Sequence, residues 1–196
     1  MTGVILAGGQ NSRYPEKKAF IKINGETILS RNLRIFRRVF DQILISTNDP
    51  INYFNTKLPL IGDVSNISGP MTGILSSLLN AQTDQIFVIA CDMPFVNEEL
   101  IRYLISIKDI SIYDAIVPLF NDIPQPLFSI YHKRLVPILE EHIKNGQLSL
   151  KKMLPIINCK YILEEVICSI DKDGSSFINI NTPNDFKNVI INNRNK

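Results

Sequence analysis

The run Ile86-Phe87-Val88-Ile89-Ala90-Cys91 is apolar at every position and stops at Asp92. A strand with one face in water alternates apolar and polar residues, so an unbroken run of this length predicts a parallel strand covered on both faces. Such a strand requires helices on both sides of a mostly parallel sheet, and the rest of the chain supplies the pattern. A short β-branched run from Gly3 to Ala7 stops at Gly8-Gly9 and reads as another buried strand. Over 28–40, Ile28, Leu29, Leu33, Ile35, Phe36, Val39 and Phe40 recur at helical spacing, with Arg31, Arg34, Arg37 and Arg38 between them. Strands are predicted over 42–47 and 58–61, and Pro70 opens a helix to about position 81, where its missing N–H has no partner to lose. A helix over 98–108, strands over 115–117 and 127–131, and helices over 133–144 and 149–154 follow. The remaining elements are late strands at 160–163 and 177–178 and a last helix from Pro183 to about 191. Strands alternating with helices give an α/β fold of three layers, Rossmann-like, with a mostly parallel sheet flanked by helices.

Composition narrows the function classes. The chain has 196 residues, 45% of them hydrophobic, enough for one compact domain and too few for two ordinary ones. A single domain is expected over 1–191, followed by a polar tail over 192–196. A charged fraction of 20% and a net charge of +2, without a clustered Lys/Arg stripe, argue against a nucleic-acid partner. Each apolar run is interrupted before the ~20 residues that a membrane span needs. The opening residues lead directly into the first strand without a basic segment and a cleavage site, so a cytoplasmic location is expected. Cys91, Cys159 and Cys168 form an odd set without C-x-x-C spacing, and the two histidines are His132 and His142. Structural zinc and a disulfide framework are not expected.

In sheets of this kind ligands bind beyond the carboxyl ends of the strands, which selects the loops 8–18, 62–73 and 92–94. The first contains Gly8 and Gly9, then Arg13, Lys17 and Lys18. Bare glycines let backbone N–H groups approach phosphate oxygens, and Arg13 and Lys18 would neutralise a triphosphate. The spacing matches neither G-x-x-x-x-G-K-[ST] nor G-x-G-x-x-G, and on the glycines alone a plain turn with solvated charges is the better reading. Asp92, at the tip of the buried strand, has two readings: a magnesium ligand between phosphate oxygens, or a turn or cap before the helix near Asn97. Cys91 reads as a small core residue, with no histidine beside it to activate a nucleophile. Gly73, inside a helix, is explained equally by a base or ribose close to it and by helix packing.

Together these segments resemble the molybdenum cofactor guanylyltransferase (MobA-like) family, whose pattern opens L-A-G-G-x-S-x-R-M-G and continues to D-K. Here it is Leu6-Ala7-Gly8-Gly9, Arg13 and Lys18, followed in order by Gly69-Pro70 and Gly73, Cys91-Asp92-Met93-Pro94-Phe95, Gln125-Pro126-Leu127-Phe128 and Asn179-Ile180-Asn181-Thr182-Pro183. The resemblance implies a fold of the nucleotide-diphospho-sugar transferase type and transfer of GMP from GTP to molybdopterin, with magnesium held by Asp92. It implies further that Leu6, Ala7, Gly8, Gly9, Lys18, Asp63, Gly73 and Asp92 contact the nucleotide, with Arg13 beside the phosphates. Ser46 stands where the family often has a nucleotide-contacting Asn, and Asn48 is a substitute for it. Asn179 and Asn181 match a motif on the pterin side, with a strand-end turn as the equal alternative.

Two departures concern the phosphate loop: Tyr14-Pro15 replaces Met-Gly, and Lys17 replaces the Asp before the lysine. The implied catalytic set is Arg13, Lys18 and Asp92, and the implied partners are GTP, molybdopterin and upstream cofactor-synthesis or client enzymes. The rival readings are a sister cytidylyltransferase, a sugar-phosphate nucleotidyltransferase, and a nucleotide-binding adaptor that has lost turnover.

Overall fold

The structure is a computed structural model that describes residues 1–8, 17–180 and 185. The chain opens with β1 (Thr2–Leu6), a hairpin of β2 (Lys22–Ile23) and β3 (Glu26–Thr27), helix α1 (Ile28–Val39) and β4 (Gln42–Ser46). Next come α2 (Pro50–Tyr53), β5 (Leu60–Ile61), α3 (Pro70–Asn80), β6 (Gln85–Ala90) and α4 (Glu98–Ile105). Then follow β7 (Ala115–Phe120), β8 (Ile123–Pro124), β9 (Phe128–His132), α5 (Val136–Lys144), α6 (Leu150–Met153), β10 (Cys159–Ile162) and α7 (Glu164–Ile170).

The main sheet has the order β10-β7-β9-β6-β1-β4-β5, with β8 paired to β7. Its centre is parallel: β1 pairs with β4 and β6, and β4 with β5. β9 runs antiparallel to both neighbours, β6 and β7, because the chain returns from β7 through residues 121–127, which include β8, without a crossover helix. The expected parallel strand over 86–91 therefore has one parallel and one antiparallel neighbour.

Successive residues of a strand point to opposite faces, and this fixes both cores. Ile5, Ile45, Phe87 and Ile89 lie with Leu33 and Phe36 of α1, Leu100 and Leu104 of α4 and Ile167 of α7. Val4, Leu6, Leu44 and Val88 lie with Ile74 and Leu78 of α3, Leu139 of α5 and Met153 of α6. Both faces of β1 and β6 are thus covered, as the unbroken apolar runs require. Among the described residues no helix is long and apolar enough to cross a membrane.

Three expectations are corrected. The predicted strand at 177–178 is instead a 3-10 turn, Ser175–Phe177. The buried Asp171 carboxylate accepts hydrogen bonds from the Ser175 and Ser176 amides, which bends this backbone away from any ladder. The helix predicted over 98–108 ends at Ile105, where Ser106 N donates to the Arg102 and Tyr103 carbonyls and the turn tightens. The helix predicted over 133–144 begins as a 3-10 turn, Lys133–Leu135, before α5, with Pro137 in the first turn of α5. Of the expected helix from Pro183 the structure describes Asp185 alone, which is helical, and the tail over 192–196 lies outside the described residues.

Candidate active site

The parallel register builds the site before any side chain is considered. Leu6 lies opposite Ser46 and Ala90, and Ser46 opposite Ile61. The carboxyl ends of β1, β4, β5 and β6 therefore form one row, with neighbours about 4.8 Å apart. Three hydrogen bonds continue the row past the strand ends: Ala7 N to Ser46 O (2.8 Å), Thr47 N to Ile61 O (2.8 Å) and Cys91 N to Leu6 O (3.0 Å). The residues next in sequence, Gly8, Asn48, Gly62-Asp63 and Asp92, emerge together.

They open onto one cleft of about 200 Å³, whose lining includes Leu6, Ala7, Gly8, Lys18, Ser46, Asp63, Gly73 and Asp92. Eight of the residues selected from the sequence are thus brought together, although no two of the loops are adjacent in the chain. Gly9, Arg13 and Asn181 lie outside the described residues. Asn179 is not in the cleft lining. Its amide donates to Phe177 O, and the next residue, Ile180, donates its N–H to Asp92 O at 3.0 Å.

Lys18 and Asp92 meet at the centre of this arrangement. Nζ of Lys18 donates to Oδ2 of Asp92 at 3.1 Å, and both side chains are largely buried. Lys18 begins a 3-10 turn, Lys18–Phe20, that is fastened by the buried Ala19 and by the Phe20 ring against Tyr53. Asp92 does not cap α4. That role belongs to Asn97, whose Oδ1 accepts from the Glu99 and Leu100 amides. Lys17, at the position of the family's Asp, pairs with Asp49, in the loop between β4 and α2.

At the other end of the row, Asp63 is held by Asn48. Nδ2 of Asn48 donates to the Asp63 carboxylate (2.7 Å), and the Asp63 amide donates to Oδ1 of Asn48 (2.8 Å). Asn48 thus orients Asp63. Gly73 of α3 is accounted for by packing: a Cβ there would lie 2.9 Å from Ser46 Oγ and 3.0 Å from Leu6 Cδ2. Gly8 is the opposite case: a Cβ there would meet no described residue within 4 Å, so none of the described neighbours requires its bareness.

Sequence reasoning did not select Tyr53, Ala19 or Leu127 as site residues, yet all three line the cleft. Leu127 stood in a quoted motif without a role, and its carbonyl accepts from Ala90 N at 3.1 Å. Tyr53 sits on α2, whose four residues leave no periodic signal. Burial raises its hydroxyl pKa.

Cys91 also lines the cleft, and burial together with the adjacent Asp92 carboxylate pushes its thiol up to about 12, the Lys18 charge offsetting this only in part. A thiol this far above neutrality carries almost no thiolate, so it is no nucleophile. Iodoacetamide at pH 8 is expected to alkylate Cys91 at least roughly a hundredfold more slowly than a free thiol of pKa about 8.5, with the rate still climbing above pH 10. Peptide mass spectrometry reads this directly, and fast labelling at pH 8 would contradict the assignment of the thiol as inert.

Fold and cleft together define a Rossmann-like α/β nucleotidyltransferase, with its site where the strand tips meet. The solved structure of molybdopterin-guanine dinucleotide biosynthesis protein A from Archaeoglobus fulgidus superposes with a TM-score of 0.86 at 26% identity, covering 100% of both chains. A probable molybdenum cofactor guanylyltransferase from Pelotomaculum thermopropionicum is 32% identical over 184 residues, 94% of this chain and 89% of that protein. The molybdenum cofactor guanylyltransferase of Desulfosudis oleivorans is 31% identical over 183 residues, 93% of this chain and 90% of that protein. The profile of the MobA-like NTP transferase domain matches residues 3–158, and the chain belongs to that family.

Proposed function

We propose that this chain transfers GMP from GTP to the terminal phosphate of molybdopterin, releasing pyrophosphate, and that it does so with magnesium. The observation that carries the reading is the meeting of Lys18 and Asp92, 74 positions apart in sequence, 3.1 Å from each other beside the bare backbone of Gly8. The names of the relatives support guanine and the molybdenum cofactor.

The residues fit a magnesium ion shared with substrate. Among the described residues no three His, Cys, Asp or Glu side chains converge; Asp92 would hold the ion together with substrate phosphate oxygens and water, while Asp63, the other carboxylate of the cleft, is held by Asn48. Bound there, the ion supplies charge neutralisation at the leaving pyrophosphate.

The chain's own residues do the rest by position and charge. The Gly8 backbone, which lines the cleft, is the cradle against which phosphate oxygens rest. Lys18 is a point charge for the same oxygens, and its resting pair with Asp92 keeps both groups aimed into the cleft. Asp63, oriented by Asn48, and the walls formed by Ser46 and Gly73 hold the nucleoside end. An oxygen of the acceptor phosphate forms a bond to the α-phosphorus as the bond from that phosphorus to the bridging oxygen breaks, and the electron pair leaves with pyrophosphate. A phosphate monoester is already ionised at neutral pH, so no general base is required, and catalysis is positioning and electrostatics.

The reading is tested by thermal shift with magnesium and each of GTP, CTP, ATP and UTP, followed by pyrophosphate release with molybdopterin. GTP is expected to raise the midpoint most, and release is expected with GTP plus acceptor. A larger shift with CTP would favour a cytidylyltransferase, and binding without release would favour an adaptor.

A further inference from the structure

Asn32 is a polar side chain in an apolar place. It lies on α1 between Leu29, Leu33 and Phe36, with none of its surface exposed. Its Nδ2 donates to the Met93 carbonyl at 3.0 Å, and its Oδ1 has no partner among the described residues. A buried amide whose oxygen stays unpaired is a poorer core residue than a leucine of similar size. Core packing therefore gives no reason for asparagine here, whereas the Met93 carbonyl does.

Met93 follows Asp92 directly, and the two carbonyls of this dipeptide are both fixed from outside the loop. Asp92 O accepts from Ile180 N at 3.0 Å, and Met93 O accepts from Asn32. Below them the Met93 side chain is anchored in the core at 1% exposure. Two hydrogen bonds on successive peptides leave the loop little freedom to rotate, and the direction of the Asp92 carboxylate follows from the orientation of those peptides.

We propose that Asn32 is a positioning residue for Asp92: it holds the Asp92-Met93 backbone from beneath and so fixes where the carboxylate meets Lys18 and the cleft. Asn32 is not among the residues that line the cleft. The kinetic consequence rests on the proposed transfer reaction, and the effect on the loop does not.

The experiment is Asn32→Leu, which keeps bulk and removes the donor, set beside Leu33→Ala, which loosens the same helix without a bond to the loop. Amide hydrogen exchange without ligand is expected to run at least tenfold faster over 91–96, relative to β1, in Asn32→Leu, and to keep the wild-type ratio in Leu33→Ala. In pyrophosphate release, Asn32→Leu is expected to lower kcat at least tenfold and raise the half-saturating magnesium concentration at least fivefold, with KM for GTP within twofold. Leu33→Ala should lower Tm and leave the magnesium midpoint unchanged. If Asn32→Leu does not fold, Asn32→Ala is read by the same exchange ratio. An unchanged ratio over 91–96, or a magnesium midpoint equal to that of wild type, overturns the assignment. Faster exchange in the variant together with a wild-type chain that releases no pyrophosphate supports the positioning role and overturns the reaction.

Discussion

Asp92→Ala is expected to reduce pyrophosphate release by on the order of 10³-fold, the size of effect seen when a group that stabilises developing charge is removed, while the chain stays folded. Asp92 stands just past the end of β6, where its main chain is held through Ile180 N and through the bond that Asn32 donates to Met93 O. None of these contacts uses the carboxylate. The side chain's partner is Lys18, and both groups face the cleft, so its removal loosens an ion pair and leaves the apolar cores on either side of β6 intact. Circular dichroism and a Tm close to that of wild type would establish the fold, and a coupled pyrophosphate assay would read the loss. Asp92→Asn separates charge from shape: it keeps the side-chain volume and a neutral acceptor oxygen, yet should lose nearly as much rate, because a neutral amide is a poor magnesium ligand. Full magnesium-dependent turnover in either variant would remove Asp92 from the chemistry.

The legibility of this site in the sequence follows from how it is built. Gly8, Asp63 and Asp92 each lie two residues past the end of a strand, and parallel strands end on the same side of their sheet, so hydrophobic runs and their stops are sufficient to choose the loops. Lys18 was visible because it completed a spaced motif with those glycines. What escaped was of two kinds. Short elements carry too few residues for a period: α2 bears the cleft residue Tyr53 on four residues, and the β2–β3 hairpin is held by Asn24-Gly25, both with positive φ, a turn signal that the reading passed over. Tertiary hydrogen bonds are the other kind. Helical spacing puts Asn32 on the same face as Leu29 and Phe36, but nothing in the local sequence names the Met93 carbonyl as its partner, and nothing ties Asn48 to Asp63. The 3-10 turn at Ser175–Phe177 differs from the expected strand for a local reason: the residues at 177–178 are apolar, while the Asp171 carboxylate, four residues upstream of Ser175, sets the backbone.

Gly73 is where packing and binding are expected to come apart under mutation. On helix propensity alone, Gly73→Ala should stabilise α3 by about 1 kcal/mol. The added Cβ would lie 2.9 Å from Ser46 Oγ and 3.0 Å from Leu6 Cδ2, closer than carbon tolerates, and overpacking of this kind costs about 1–3 kcal/mol. Both struck atoms are ends of side chains that can turn aside, so for alanine the two effects nearly cancel in stability. They do not cancel in binding, because Ser46 and Leu6 themselves line the cleft, and the space they turn into is taken from the nucleotide. Gly73→Ala is therefore expected to keep Tm near wild type while weakening GTP roughly tenfold, about 1.4 kcal/mol. Gly73→Val, whose branched γ-carbons press on the same neighbours, should weaken GTP roughly a hundredfold and lower Tm as well. Leu78→Ala, on the same helix and fully buried, provides the contrast: it should cost about 2–5 kcal/mol of stability and leave GTP affinity unchanged at temperatures where the protein is folded. Calorimetric titration of the three variants reads the separation. GTP affinity that holds through Gly73→Val would mean that the nucleotide does not lie against α3, and the wall formed by Gly73, Ser46 and Leu6 would have to be given up as its boundary.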